Sequence, residues 1–270
     1  MCKRVTSVVM SEGLSFPSAS VALLDSYLPS ALPESRPFVT LTFATSLDSS
    51  LSLAPGVRTR LSGPESKAMT HFLRSRHSAI LIGVSTMLAD DPGLNCRITG
   101  LTSHPRPIII DPHLRWTPSI EDKVLRLSKE GQGLAPYVIT GVKDIPATSA
   151  SILHEYGGKY IRVRSIAAPG ENGRVRFDWH DVFGVLQSEG LSSVMIEGGG
   201  EIINSLLNPP YNSLVDSVIV TVAPVWLGKG GVVVSPERVE DTDGVPVPVA
   251  RLSNVKWHPF GSDVVLCGNL

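Results

Sequence analysis

Three groups of polar residues in this 270-residue chain stand where chemistry could be done. The first is Ser85, Thr86, Asp90 and Asp91 with Asn95, Cys96 and Arg97, all within Ala79–Arg97 (AILIGVSTMLADDPGLNCR). Hydroxyls, two carboxylates and an arginine delivered beyond a short apolar run have the layout of an α/β ligand site; a well-capped surface loop is the other reading. The second is Glu197-Gly198-Gly199-Gly200-Glu201. Glycines between a buried strand and a helix let a bulky anion approach the backbone, and the helix start supplies N–H groups and positive partial charge. That suits a dinucleotide pyrophosphate, although a tight strand-to-helix turn uses the same residues. The pattern is not G-x-G-x-x-G, and Gly228-Lys229-Gly230-Gly231 is not a Walker loop, since no Ser or Thr follows the lysine. The third is Arg74 with Arg97, whose guanidinium forks suit a phosphate monoester. Either arginine taken singly could equally be an ordinary surface residue.

Composition narrows the function classes. A formal charge of −1 with no long Lys/Arg cluster argues against nucleic acid. The three cysteines, Cys2, Cys96 and Cys267, are too far apart for metal-ligand spacing and odd in number, which favours a reducing compartment, cytoplasmic or nuclear. No segment reaches the roughly 20 apolar residues of a membrane helix, and the run after Lys3-Arg4 is broken by Ser11, Glu12 and Gly13, unlike a secretory leader. His-Glu-x-x-His, paired Cys-x-x-Cys and Gly-x-Ser-x-Gly are missing, so no metal site is expected. His71 and His77 read as surface or interface residues and Cys96 as half-buried packing.

The elements that position these groups follow from pattern. Residues 1–36 form an extension, loosely held to about residue 18, with a short amphipathic helix carrying Val21, Leu23, Leu24 and Leu28. A single domain is expected over 37–270. Strands are expected at Phe38–Ala44, Ala79–Val84, Pro107–Asp111, Tyr137–Thr140, Tyr160–Val163, Ser193–Glu197 and Val215–Val225, with a closing hairpin around Trp257 and Val264–Leu266. Helices are expected from Ser62, capped by its hydroxyl, to about Arg76 with Met69, Phe72 and Leu73 inward, and at Ser149–Tyr156, Asp178–Gln187 and Glu201–Leu207. Asp90–Gly93 reads as a polar turn and Val234–Val249 as a loop. Strands alternating with helices predict an α/β fold: a mostly parallel central sheet, helices on both faces and antiparallel C-terminal strands.

With these residues assembled, the chain resembles the fungal and archaeal reductases of riboflavin biosynthesis that act on 2,5-diamino-6-ribosylamino-4(3H)-pyrimidinone 5′-phosphate, kin to the reductase domain of bacterial bifunctional deaminase–reductases. The matching stretches are Pro37–Asp48, Thr70–Arg97, His104–Asp111, Val194–Leu207 and Val220–Gly231, in order along the chain. The resemblance implies a dihydrofolate-reductase-like fold, a homodimer, NADPH as cofactor and reduction of a ribosyl side chain to ribityl. Carried onto this sequence, it implies that Thr86, Asp90, Phe177 and Ala44 contact the cofactor and that Gly198, Gly199, Gly200, Glu201 and Ile202 wall its phosphates. It implies that Arg74, Leu94, Arg97 and Glu197 bind substrate, the arginines through its 5′-phosphate. Thr42 and Ser49 stand where the bacterial relatives carry Lys and Gly, which favours the stand-alone subgroup.

Hydride transfer to the open-chain imine of the ribosylamine needs chiefly closeness and alignment. Glu197 and Asp48 are candidate proton donors, with an anchor and a turn former as their alternatives and a water as the preferred source. Arg58 and Arg60 are candidates for the cofactor 2′-phosphate. Two rival functions are a dihydrofolate-type pterin reductase and a non-catalytic NADPH-binding scaffold.

Overall fold

Strands that read as near-continuous apolar runs are those buried on both faces, and in the computed structural model, which describes residues 13–167 and 175–270, they form the middle of one sheet. Cys2 and the Lys3-Arg4 run lie outside the described residues. The chain runs α1 (Ser18–Leu24), β1 (Phe38–Thr45), β2 (Ser50–Ser52), α2 (Pro64–Ser75), β3 (Ala79–Gly83), α3 (Val84–Asp90) and β4 (Arg106–Ile110). It continues with α4 (Lys123–Lys129), β5 (Tyr137–Thr140), α5 (Ala147–Glu155), β6 (Lys159–Arg162), β7 (Ser165–Ala167), β8 (Val175–Phe177), α6 (Trp179–Ser188), β9 (Ser193–Ile196) and α7 (Gly200–Leu207). After these come β10 (Ser217–Val222), β11 (Val232–Val233), β12 (Val239–Glu240), β13 (Pro246–Val247), β14 (Ser253–Phe260) and β15 (Asp263–Asn269).

Nine strands form the sheet in the order β14-β15-β10-β1-β9-β3-β4-β5-β6. Neighbours from β10 to β6 are parallel, while β15 joins β10, and β14 joins β15, antiparallel. The expected mostly parallel sheet with antiparallel C-terminal strands is therefore present. Alternate side chains of each strand face opposite ways. Leu41, Leu81, Ile196 and Val218 pack with α6 and α7, through Val182, Phe183, Ile203 and Leu206. On the other face Ile80, Ile82, Ile109 and Val138 meet α3, α4 and α5. Next to them Met195, Ile219 and Val265 receive Met69, Phe72 and Leu73 of α2. Leu24, Tyr27 and Leu28 complete that last cluster, so α1 and the turn after it are core-forming. Phe16 stacks on Phe72 at 4.8 Å and Leu14 bridges Ile98, so, among the described residues, 13–17 are held rather than loose.

Several local expectations are corrected. Helix α2 has Gly63, not Ser62, at its N-cap, and the N–H of Gly63 donates to the Asp263 carboxylate, which also accepts from the Ser66 hydroxyl. A distant carboxylate at the positive helix end has replaced a local hydroxyl. Residues 84–90 form α3 instead of running straight into the polar turn. The strand expected over 215–225 is paired in the sheet only over Ser217–Val222, and the loop expected over 234–249 contains the small β12–β13 ladder. Cys96 is fully buried.

Both histidines are buried too, contrary to the surface reading. His77 ends a polar chain: the Ser217 hydroxyl donates to Thr40 Oγ1, Thr40 lies 2.8 Å from His77 Nε2, and His77 Nδ1 lies 2.8 Å from the Leu73 carbonyl. A carbonyl only accepts, so Nδ1 carries the proton and Nε2 accepts from Thr40, and the ring is neutral. Burial, aided by Arg76, pushes its pKa down to about 4 against the pull of the Leu73 carbonyl. The unfolded chain then binds more protons than the folded one below pH ~6.5, so stability is full above that value and falls as acid is added. Denaturant unfolding between pH 7 and 4 is expected to lose up to about 1.4 kcal/mol per pH unit from this group, and His77→Gln is expected to flatten the slope.

Candidate active site

Because β9 lies between β1 and β3, the loops leaving the carboxyl ends of these strands open side by side. Ala44 near the end of β1, Glu197–Gly200 after β9 and Gly83–Thr86 after β3 all line one cleft of about 1800 Å³. Ligands of parallel α/β sheets bind at this edge. The two sequence-distant motifs thus meet: Thr86 Oγ1 is 3.8 Å from where a Cβ would stand on either Gly198 or Gly199.

The glycines have separate reasons to be there. Gly198 and Gly199 hold φ values of +147° and +80°, backbone that side chains resist. A Cβ on Gly200 would lie 2.5 Å from Val232 Cγ1. The result is a bare corner opening the first turn of α7, where Glu201 and Ile202 follow. Opposite, Asp90 ends α3; its Oδ1 is buried without a hydrogen-bond partner, and burial raises its pKa despite the opposing charge of Arg58. A buried acceptor with nothing to accept from is costly unless a ligand supplies the donor. Phe177, at the end of β8, lines the same cleft.

Arg74, in the last turn of α2, reaches Glu197 with both arms of its fork: Nε donates to Oε1 at 2.7 Å and Nη2 to Oε2 at 2.5 Å. Its Nη1 donates to the Asn95 carbonyl at 3.1 Å. Burial works against the charge on Arg74, but the Glu197 carboxylate outweighs it and holds the pKa above the ordinary arginine value. Arg97 is exposed to the cleft, and its Nη2 and Nε lie 2.8 and 3.2 Å from His71 Nε2. His71 Nδ1 lies 3.1 Å from the same Asn95 carbonyl. The imidazole therefore donates from Nδ1 and accepts from Arg97. Burial first, then Arg74 and Arg97, drive its pKa down to about 3, so it stays neutral beside two guanidiniums. The positioning role of His71 was missed because helical spacing reports a face and not what covers it. Leu94 is buried at a φ of +51°, turning the chain so that Asn95, Cys96 and Arg97 follow in this order.

Arg58, Arg60, Lys67 and Lys123 line the cleft near Arg97. Burial, then Arg97, Arg60, Arg58 and Lys123, lowers the Lys67 pKa; burial, then Arg74 and Arg58, lowers that of Arg97. These cations raise the positive potential of this part of the cleft, an arrangement whose charge favours an anion.

Asp48 is not in the cleft lining. Its Oδ1 accepts from the Ser46 hydroxyl and Leu227 N and its Oδ2 from Gly228 N, and these bonds, Ser46 first, pull its pKa down to about 2. It latches the loop after β1 to the one after β10, which is the turn-forming one of its two readings. Among the described residues no group of three or more His, Cys, Asp or Glu is placed to hold a metal ion, and no helix is long and apolar enough to cross a membrane.

The family model described as the RibD C-terminal domain matches residues 37–266. A protein of Debaryomyces hansenii named 2,5-diamino-6-ribosylamino-4(3H)-pyrimidinone 5′-phosphate reductase is 39% identical over 251 residues, 92% of this chain and 94% of its own. The protein of that name from Saccharomyces cerevisiae is 38% identical, covering 92% and 93%. Among solved structures, the Saccharomyces riboflavin biosynthesis reductase Rib7 is 34% identical with a TM-score of 0.73, covering 92% of this chain and 98% of that one. Acinetobacter baumannii RibD, at 19% identity, TM-score 0.67 and coverage of 87% and 58%, shares the fold. By the family match and by relatives alike over nearly their full length, the chain belongs to the RibD C-terminal domain family and has its dihydrofolate-reductase-like α/β fold.

Proposed function

We propose that this protein reduces the ribosyl side chain of 2,5-diamino-6-ribosylamino-4(3H)-pyrimidinone 5′-phosphate to ribityl with NADPH, an early step of riboflavin biosynthesis. The observation that carries it is one cleft in which a glycine-lined helix start and a cation cluster flank the Arg74–Glu197 pair. The relatives' shared name supplies the substrate class.

The residues fit a nicotinamide dinucleotide: Gly198 and Gly199 leave the corner bare, and the Asp90 acceptor lacks a partner. When bound, that cofactor supplies a hydride. Gly198–Gly200, Glu201 and Thr86 would hold its pyrophosphate, Ala44, Phe177 and Ile202 its apolar walls, and Asp90 a donor group. On the substrate side Leu94 gives an apolar wall, and Arg97, aimed by His71, joins Lys67 and Arg60 around the 5′-phosphate. Arg74 spends its fork on Glu197, so it orients that carboxylate more than it grips phosphate. Glu197 accepts from ribosyl hydroxyls through its remaining lone pairs. Opening of the ribosylamine ring gives a C=N bond; its carbon takes the hydride and its nitrogen a proton from water. Glu197 is thus an anchor beside the reacting carbon. The reading extends to a cytoplasmic homodimer, favoured by Val255 and Trp257 exposed on the sheet-edge strand β14.

Loss of NADPH absorbance is expected with the ribosylaminopyrimidine phosphate and not with dihydrofolate; turnover of dihydrofolate would favour the pterin reading, and binding without turnover of either the scaffold. Arg97→Ala is expected to raise the substrate KM about 10- to 100-fold, the value of a charge-assisted bond. Glu197→Gln is expected to retain kcat within an order of magnitude while lowering thermal stability, because Arg74 loses its counter-charge. A kcat that collapses in Glu197→Gln and depends on pH would instead make Glu197 the proton donor.

A further inference from the structure

One side of the glycine corner is covered by a strap that does not belong to the central sheet. Residues 227–235 follow β10 and pair through β11 with β2 in a separate two-stranded ladder, Val232 opposite Ser52 and Val233 opposite Ser50. Leu227 N and Gly228 N donate to Asp48, and Val234 N donates to the Ser49 carbonyl. All of these bonds hold the strap to the turn between β1 and β2. None holds it to α7, the helix whose first turn forms the corner.

That connection is made by one side chain. Asn204 Nδ2 donates to the Val233 carbonyl at 3.1 Å, and Asn204 Oδ1 accepts from Ser235 N at 2.8 Å. A carboxamide laid against extended backbone satisfies one carbonyl and one N–H together, and a single orientation of the amide does so. Among the described residues, no other hydrogen bond joins α7 to the strap.

The position of Asn204 in the helix decides what this clamp controls. It follows Gly200 by four residues, so the two share a face of α7, about 6 Å apart along the axis. Val232 sits on that face: a Cβ on Gly200 would meet Val232 Cγ1 at 2.5 Å and Leu51 Cδ1 at 3.6 Å. The strap therefore lies along the helix, apolar over Gly200 and polar at Asn204. The first N–H groups of α7 have no partner within the helix. Val232 keeps water from the outer side of that turn, and an anion held by these groups is bound more strongly where water is excluded.

Resting on the functional reading above, we propose that Asn204 is a positioning residue for the cofactor: it seats Val232 on Gly200 and so sets the affinity of the glycine corner for the dinucleotide pyrophosphate. Asn204 does not line the cleft, so it acts through the strap and not by touching a ligand. The cations around Arg97 stand on other elements and do not depend on it.

The test combines titration calorimetry of NADPH binding, without substrate, with steady-state kinetics. Alanine is the stronger helix former, so Asn204→Ala keeps α7. It is expected to raise the NADPH Kd and KM about 3- to 10-fold, the value of one or two neutral hydrogen bonds, and to leave kcat at saturating NADPH and the substrate KM within about twofold. Asn204→Asp, which keeps an acceptor for Ser235 N but sets a charge against the Val233 carbonyl, is expected to weaken NADPH at least as much. Val232→Ala is expected to weaken NADPH too, and in that background Asn204→Ala is expected to add less than about twofold, because the two residues act in series. An unchanged Kd in both Asn204 variants, an equal rise in the substrate KM, or full additivity with Val232→Ala overturns this assignment alone, provided that wild-type protein binds NADPH. Wild-type protein that binds no NADPH overturns the functional reading and this assignment with it.

Discussion

The bidentate pair between Arg74 and Glu197 holds the site together. It joins the end of α2 to the exit of β9, two elements separated by 123 residues along the chain. Both side chains are mostly covered, at 13% and 15% exposure, so neither charge could be left alone without a cost of about 3–5 kcal/mol. The third donor of the guanidinium goes to the Asn95 carbonyl, which also receives His71. One carbonyl therefore registers Arg74 directly and Arg97 through the imidazole. Helix, strand and loop are fixed relative to one another by four hydrogen-bonded groups, and the exposed arginine inherits that fixity.

Strand order adds what side-chain contacts alone would not. With β9 between β1 and β3, the Glu197–Gly200 corner has Ala44 on one side and Thr86 on the other. The cover over the corner is positioned indirectly. Asp48 grips Leu227 N and Gly228 N, and the chain continuing from there forms β11 beside β2, bringing Val232 onto Gly200. Gly231 permits this approach: a Cβ there would fall 2.0 Å from the Ser52 carbonyl oxygen. The Gly228–Gly231 run, which is no phosphate loop, thus has a packing role.

Much of this was legible because it depends on local pattern. Apolar runs of four or five residues marked β3, β4, β5 and β9, and alternating burial in α2 and α7 followed the helical period. The two motif loops were recognisable by residue type, and the fold brings them together. What escaped depends on distant partners. His71 and His77 looked polar, hence exposed, yet each finds donors and acceptors from other elements that make burial tolerable. Capping of α2 was assigned to Ser62, but the acceptor comes from Asp263, 200 residues from Gly63. Ser49 occupies a φ of +60°, a backbone region that side chains resist, and no residue type in its neighbourhood announced it.

The charge balance of the cleft gives the last step. Lys67 is held below its ordinary pKa by burial and then by Arg97 and its neighbours, and Arg97 by burial and then by Arg74 and Arg58, while Asp90 is held above its own by burial with only Arg58 opposing. Each of these groups is strained in the direction a bound ligand would relieve: the cations by an anion, the carboxylate by a hydrogen-bond donor. A surface optimised for stability alone would pair Asp90 with one of the nearby cations. Keeping them apart stores unfavourable electrostatics that binding removes, so ligand affinity and ligand-induced stabilisation have the same origin. The Arg74–Glu197 pair prevents the simplest collapse, because a Glu197 already satisfied on both oxygens does not fold over to neutralise Arg97.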